Sequence, residues 1–166
     1  MSEPSRAARD FTLIDETGNT FSLGDLKGRW VLLAFGYTSC PDVCPLTLAH
    51  LLSVKKQIAN PDQVAIVFVS VDPARDTPDI MLKYVRHFGE DFKGLTGTKD
   101  QIDLAVKAYG AKYEIKKDGS ESAAGYTVSH SAFVYLIDSQ FRLRLTFPFG
   151  VTPNEMASDL TYLMSQ

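Results

Sequence analysis

Two continuous apolar runs dominate the pattern of hydrophobic and polar positions along the chain. Residues 30–37 and 64–71 are almost entirely apolar. Such runs are typical of parallel strands that are covered on both faces. Between them, apolar residues recur at roughly helical spacing from Leu46 to Ile58, and Asn60 and Pro61 break the pattern. The first half of the chain therefore predicts a β–α–β unit.

Shorter patterns surround this unit. Residues 11–14 and 20–23 flank turn-forming residues and predict an N-terminal β-hairpin. Helical patterns follow at 78–88, at 99–109 and after Thr152, with a short strand near Leu95. Segments 132–138 and 141–147 predict an antiparallel pair, although their two-residue link lacks the glycine that tight turns prefer. Residues 111–125 predict an inserted hairpin or loop before His130.

This order of elements predicts an α/β protein with a thioredoxin-like fold, in which helices flank a central mixed sheet. We expect a flexible tail at residues 1–9 and one domain at residues 10–166. A domain of this length can bury a full core without disulfide bonds.

Composition narrows the function classes. The net charge of −3 argues against a general nucleic-acid binder. No window is long and apolar enough to span a bilayer, and the first ten residues are too polar for a signal peptide. We therefore expect either a cytosolic protein or the soluble part of a longer precursor.

The chemistry of the chain centres on its two cysteines. Cys40 and Cys44 lie where the first apolar run stops and the helical pattern starts, and Pro41 and Pro45 follow them directly. Two thiols at this spacing can form a disulfide, or as thiolates they can hold a soft metal. In an open α/β sheet, ligands bind beyond the carboxyl ends of the strands. Cys44 should also benefit from the positive end of the helix dipole, which favours the thiolate.

His130 is the candidate third ligand, because it precedes a core strand that should lie near the first one. Two thiolates and one imidazole make a soft site that favours copper over magnesium, calcium or manganese. Zinc binds similar sets, but a structural zinc site needs a fourth protein ligand, and only Asp42 is near enough in sequence to be considered. We expect surface or core roles for His50 and His87.

Three charged residues follow the second apolar run. Asp72, Arg75 and Asp76 lie in a Pro-containing segment that leads into the next helical pattern. We expect these residues to serve turn and cap geometry, with Asp76 or Thr77 capping the helix and Pro78 beginning it.

Several motifs together resemble those of the Sco/SenC copper proteins. They are the segment 36–45 with both cysteines, the segment 70–78 from Ser70 to Pro78, the segment 94–98, and His130 before the apolar strand at 133–138. The resemblance runs in order from about Asp10 to the C-terminus. One departure lies at residues 127–129, Thr127-Val128-Ser129, where relatives often carry an acidic residue; we expect altered surroundings of the metal rather than lost binding.

The resemblance implies one copper ion, Cu(I) or Cu(II), bound by Cys40, Cys44 and His130. It implies a metallochaperone that helps to assemble the dinuclear copper site of cytochrome c oxidase. The implied partners are oxidase subunit II or another copper protein, and a thiol reductase as electron donor. It also implies an N-terminal membrane anchor, absent from this sequence, and a location on the periplasmic side of the bacterial inner membrane, with the mitochondrial intermembrane space as the alternative.

Two other functions use the same cysteines. In a thiol–disulfide reductase, Cys40 would attack a target disulfide and Cys44 would resolve the mixed disulfide. In a peroxidase of the peroxiredoxin or glutathione-peroxidase type, the position three residues before Cys40 would be threonine or serine, or a selenocysteine-type motif would be present. That position is Tyr37, which disfavours the peroxidase.

Overall fold

The computed structural model of the protein describes residues 6–38, 43–111, 113–116, 127–130 and 133–166. For residues 6, 43, 44, 113–116 and 127–130 it describes the backbone only. Most of the strands within these ranges belong to one mixed sheet. That sheet has eight strands in the order β1-β10-β9-β4-β5-β6-β2-β3. Its members are β1 (Arg6–Ala7), β2 (Thr12–Asp15), β3 (Thr20–Ser22), β4 (Trp30–Gly36), β5 (Val64–Ser70), β6 (Lys93–Thr96), β9 (Phe133–Ile137) and β10 (Arg142–Pro148).

Helices flank the sheet within the described part of the chain: α1 (Val43–Gln57), α2 (Pro78–Phe88), α3 (Lys99–Ala108) and α4 (Pro153–Met164). Helix α1 lies next to both α4 and α2, while α2 also contacts β6 and α3 contacts β2. The predicted thioredoxin-like α/β fold, with its N-terminal hairpin of β2 and β3, is confirmed.

The two apolar runs form the centre of the sheet. Strands β4 and β5 pair in parallel from Trp30 opposite Val64 to Gly36 opposite Ser70. Every residue of β5 is buried, as expected for a parallel strand covered on both faces. The largest side chain in β5, Phe68, is buried and contacts the ring of Tyr84 on α2.

Strand β9 runs antiparallel beside β4, with Val31 opposite Ile137 and Ala34 opposite Val134. The amino end of β9 therefore lies beside the carboxyl end of β4. Ligand sites in open α/β sheets form at this edge of the parallel strands.

The inserted segment forms a separate two-stranded sheet. Strands β7 (Tyr113–Lys116) and β8 (Thr127–His130) pair antiparallel, with Tyr113 opposite His130. The sequence predicts a hairpin or a loop in this segment, and the antiparallel pairing of β7 and β8 is that of a hairpin. Residues 117–126, which connect them, lie outside the described residues.

At the N-terminus, the sheet begins before Asp10. Arg6 and Ala7 pair with Leu143 and Arg142 of β10, and the Ala8 amide donates to the carbonyl of Phe141 at 2.9 Å. These residues fall within the segment predicted to be a flexible tail. Their order comes from backbone hydrogen bonds to the outer strand, which apolar patterning does not reveal. Residues 1–5 lie outside the described range.

Candidate metal centre

The cysteine segment connects β4 with α1. Strand β4 ends at Gly36, Tyr37 and Thr38 follow, and α1 begins at Val43, so Cys44 is the second residue of the helix. The predicted position of Cys44 at a helix start is thus observed, and partial positive charge from the first turn favours a thiolate there. Cys40 and Asp42 lie outside the described residues, as does the side chain of Cys44.

His130 lies in the segment that leads into β9, whose amino end borders the carboxyl end of β4. It is the last residue of β8 and stands three residues before Phe133, the first residue of β9. Three residues of extended chain reach at most about 11 Å. Cys40 follows Gly36 by four residues, and four residues of extended chain reach at most about 14 Å from Gly36. Because the side chain of His130 also lies outside the description, a shared site for the three ligands stays a prediction.

The carboxyl ends of β4 and β5 form this edge of the sheet. The Gly36 carbonyl accepts the Val71 amide at 2.7 Å, which keeps the two strands paired to their last residues. Directly beyond, the hydroxyl of Ser70 accepts the Asp72 amide at 3.0 Å. The turn that leads towards α2 is therefore tied to the carboxyl end of β5.

A buried carboxylate links this turn to the cysteine segment. Asp76 accepts the backbone amide of Thr38 at 3.0 Å, the hydroxyl of Thr38 at 2.5 Å and the hydroxyl of Ser70 at 2.6 Å. The sequence predicts turn or cap geometry for Asp76, with Asp76 or Thr77 as the helix cap. The N-cap residue is Thr77, although its side chain makes no capping hydrogen bond, and Asp76 takes part in the turn by donating its amide to the Asp72 carbonyl at 2.9 Å. The carboxylate of Asp76 turns inward to accept from Ser70, which is buried, and from Thr38, which is half-buried.

Positive charge lies next to the same segment. The Arg75 guanidinium donates to the buried carboxylate of Asp72 and lies 6.0 Å from the centre of the Tyr37 ring. A cation at this distance from an aromatic face is attracted to it. Arg75 and its paired carboxylate thus lie beside Tyr37, at the start of the segment that leads to Cys40.

The remaining histidines lie elsewhere. His87 is exposed on α2 and packs edge-on against Phe88, while His50 on α1 lines a shallow depression with Val134 and Phe149. Within the described part of the chain, no three His, Cys, Asp or Glu side chains cluster closely enough to hold a metal ion. The described helices include none that is long and apolar enough to cross a membrane.

The residues that sequence reasoning missed are Thr38 and Ser70 as partners of Asp76. Each belongs to a motif that we singled out, yet neither had a role. A polar residue at the end of an apolar strand was the available signal, since such a residue needs a hydrogen-bond partner when buried.

Comparison with known proteins identifies the family of the chain. Residues 1–165 match the SCO1/SenC family. An SCO2-like protein of Rickettsia felis is 37% identical over 149 residues, which cover 89% of this chain and 72% of that protein. Other relatives include mitochondrial proteins, such as protein SCO2 of Saccharomyces cerevisiae.

Solved structures are similar over nearly the whole chain. Copper-bound ScoI of Arabidopsis thaliana superimposes with a TM-score of 0.89 at 29% identity, covering 97% of this chain and 99% of that one. Copper-bound ScoI of Bradyrhizobium japonicum gives a TM-score of 0.83 at 34% identity, covering 95% and 99%. On these matches, the chain belongs to the SCO1/SenC family.

Proposed function

We propose that this protein is a copper metallochaperone that binds one copper ion through Cys40, Cys44 and His130. It delivers the ion to the dinuclear copper site of cytochrome c oxidase, with oxidase subunit II as the preferred partner. Copper is the cargo of the reaction, and the three side chains form its carrier site.

The observation that carries the proposal is the adjacency of β4 and β9. The cysteine segment begins at the carboxyl end of β4, and the histidine segment leads into the amino end of β9. Segments that are far apart in sequence therefore start from one edge of the sheet. Copper-bound relatives of the same fold add support.

The donor set suits copper. Thiolate and imidazole are soft or borderline ligands, and a three-coordinate site of this kind fits Cu(I), while Cu(II) would take a further oxygen ligand. The helix dipole at Cys44 favours deprotonated sulfur, which is the ligating form.

The carrier role requires that the cysteine pair can be reduced and that bound copper can be passed on. When Cys40 and Cys44 are joined as a disulfide, their sulfurs are poor ligands, so two electrons from a thiol reductant must first restore the dithiol. Loaded protein then exchanges ligands stepwise with the partner's thiolates. Each bond from copper to this protein is replaced by a bond to the partner, so the ion is not released into water.

An anaerobic Cu(I) titration of the reduced protein against a competing chelator tests the binding claim. We expect one tight equivalent for the wild type and a weaker site for His130→Ala. His87→Ala is the matched control, since it removes an exposed imidazole on α2 and should leave affinity unchanged. Equal affinity of His130→Ala and His87→Ala would contradict the three-ligand site.

Mixing loaded protein with a copper-free oxidase subunit II domain tests delivery. We expect copper to move to that domain, and we expect transfer to stop when Cys40 or Cys44 is replaced by serine. Rapid turnover on a disulfide peptide without copper transfer would instead favour the thiol–disulfide reductase.

We propose further that the domain works on the periplasmic side of the bacterial inner membrane. Proteolysis of the natural gene product in spheroplasts and in intact cells tests this location. Cleavage in spheroplasts with protection in intact cells is expected. Protection in both would place the domain on the cytoplasmic side.

A further inference from the structure

Asp76 holds together three parts of the fold at the edge where the cysteine segment begins. Its carboxylate accepts from Ser70, at the end of β5, and from both the amide and the hydroxyl of Thr38. Its backbone amide donates to the Asp72 carbonyl at 2.9 Å, and its carbonyl accepts the Thr96 hydroxyl at 2.7 Å. Asp76 is therefore fixed from β5, from the turn before α2 and from the end of β6.

The residue that this anchor restrains stands two positions before Cys40. Thr38 contacts the carboxylate through main chain and side chain at once, so its position and its orientation are both set. At the other end of the segment, α1 begins at Val43, and its second residue is Cys44. The stretch that carries Cys40 thus runs between two fixed points, one of which is made by Asp76.

Loss of the carboxylate would leave these donors without their acceptor. Asp76 is only 1% exposed, and within the described part of the chain its oxygens accept from the buried Ser70 hydroxyl and from the amide and hydroxyl of the half-buried Thr38. An asparagine offers a single acceptor oxygen, and its NH₂ group would face a donor. The start of the cysteine segment would have to shift to satisfy these groups.

We propose that Asp76, acting through Thr38, is a positioning residue that sets the geometry of the cysteine pair for copper. The inference deepens the proposed function and rests on it, since it names a residue that tunes the same carrier site. The proposed role of Asp76 is to act through Thr38, not to bind copper. It restricts where Cys40 can lie relative to Cys44.

Two pairs of variants test the inference. Asp76→Asn is compared with Asp138→Asn, which also removes a buried carboxylate that binds backbone amides, but at the opposite end of the sheet beyond Ile137. Thr38→Val removes the hydroxyl bond while keeping shape and amide, and Thr38→Ser keeps both donors. Circular dichroism first establishes that each variant is folded.

Copper affinity of the reduced proteins is the first readout. Loss of a group that supports a metal ligand typically costs about 10–100-fold in affinity, and we expect that range for Asp76→Asn. Loss of a single hydrogen bond predicts about a 2–10-fold decrease for Thr38→Val. Thr38→Ser and Asp138→Asn should match the wild type. Equal affinity of all four variants would overturn the inference.

The second readout needs no copper. In a glutathione buffer, the protein disulfide and two glutathione thiols exchange with the protein dithiol and one glutathione disulfide. A less restrained Cys40 has a lower effective concentration beside Cys44, so Asp76→Asn and Thr38→Val should shift this equilibrium severalfold towards the dithiol. No shift, or a shift towards the disulfide, would overturn the inference.

The two readouts separate the claims. If the wild type takes up no copper, the proposed function fails, and the glutathione equilibrium alone decides whether Asp76 positions the cysteines. If the wild type binds copper and Asp76→Asn behaves like Asp138→Asn in both measurements, only the positioning role fails.

Discussion

Ala34 of β4 pairs with Val134 of β9 in the centre of the sheet. This pairing sets the common edge from which the cysteine segment leaves and at which the histidine segment returns. The two ends of the central strands have different roles. One end holds Asp76 and the proposed copper site, and the other holds the turn built around Asp138.

Copper binding should raise the thermal stability of the reduced protein. A ligand that binds only the folded state at 100 times its dissociation constant adds about 2.7 kcal/mol to the free energy of unfolding. For a domain of this size that is roughly 5–11 °C in melting temperature. Calorimetry with chelator-buffered Cu(I) measures the shift.

The same experiment on Cys44→Ser supplies the control. We expect its melting temperature to respond far less to copper, because one of the ligands is lost. An equal rise in both proteins would mean that copper stabilises the fold from another site.

Asp138 should make stability depend on acid pH. Burial raises the pKa of this carboxyl, but hydrogen bonds from the Arg142 amide and from the Arg144 and Arg142 side chains outweigh it, so the pKa lies below its usual value. The resulting stabilisation is present above about pH 4 and is lost as pH falls through the lowered pKa. Asp138→Asn should cost about 1–3 kcal/mol at neutral pH.

Urea unfolding between pH 7 and pH 2.5 checks this prediction. The difference between wild type and Asp138→Asn should shrink as the pH falls below 4. A constant difference over the whole range would show that the charge of Asp138 contributes nothing.

Tyr109 should make the stability of the fold depend on alkaline pH. Its ring is buried against Phe11, Phe35 and Tyr135, and its hydroxyl donates to the Arg9 carbonyl at 2.6 Å. Burial raises the pKa of this phenol far above its usual value. Its contribution to stability is complete below about pH 10 and is lost as pH rises beyond that.

Tyr109→Phe isolates this effect. The variant should lose about 1 kcal/mol at neutral pH with the hydrogen bond, and its free energy of unfolding should fall less steeply than the wild type above pH 10. Parallel decreases in both proteins, measured by guanidinium unfolding, would contradict a buried neutral phenol.

Gly94 sets the distance between β6 and α2. A Cβ at this position would lie 3.0 Å from Val85 Cγ1 and 3.3 Å from Met81 Cε, which is tighter than ordinary packing. Gly94→Ala should therefore cost about 1–3 kcal/mol. Urea unfolding of the single variants and of Gly94→Ala combined with Val85→Ala tests the cause, because removing Cγ1 should recover part of the loss. Full additivity would assign the cost to something other than this contact.

The sequence predicted the parts of the fold that follow from local pattern. Strands β4 and β5 could be predicted because each is a short, continuous apolar run, which is typical of a strand covered on both faces. The turn between β9 and β10 was harder, because no glycine marks it. There Phe141 adopts a positive φ of 61°, and the Asp138 carboxylate stabilises the turn by accepting the Gln140 and Arg142 amides.

For the candidate site, sequence reasoning proposed Cys40, Cys44 and His130 as ligands from their chemistry but missed the contact between Asp76 and Thr38. The sequence predicts only turn or cap geometry for Asp76, because proximity in sequence is the only relation that a local pattern reveals. Its partner Thr38 is 38 positions away and becomes a neighbour only when β4 and β5 pair. Contacts of this kind depend on tertiary structure and leave no periodic signal.

The short strand β1 has a further consequence. Without it, β10 would be the outermost strand and would present unpaired amides and carbonyls along its length, which is a template for another chain. Arg6 and Ala7 cover that template where it is nearest to the Asp138 turn. Arg6 and Ala7 therefore cover part of this edge, and their removal would expose more of β10 to a strand from a second copy.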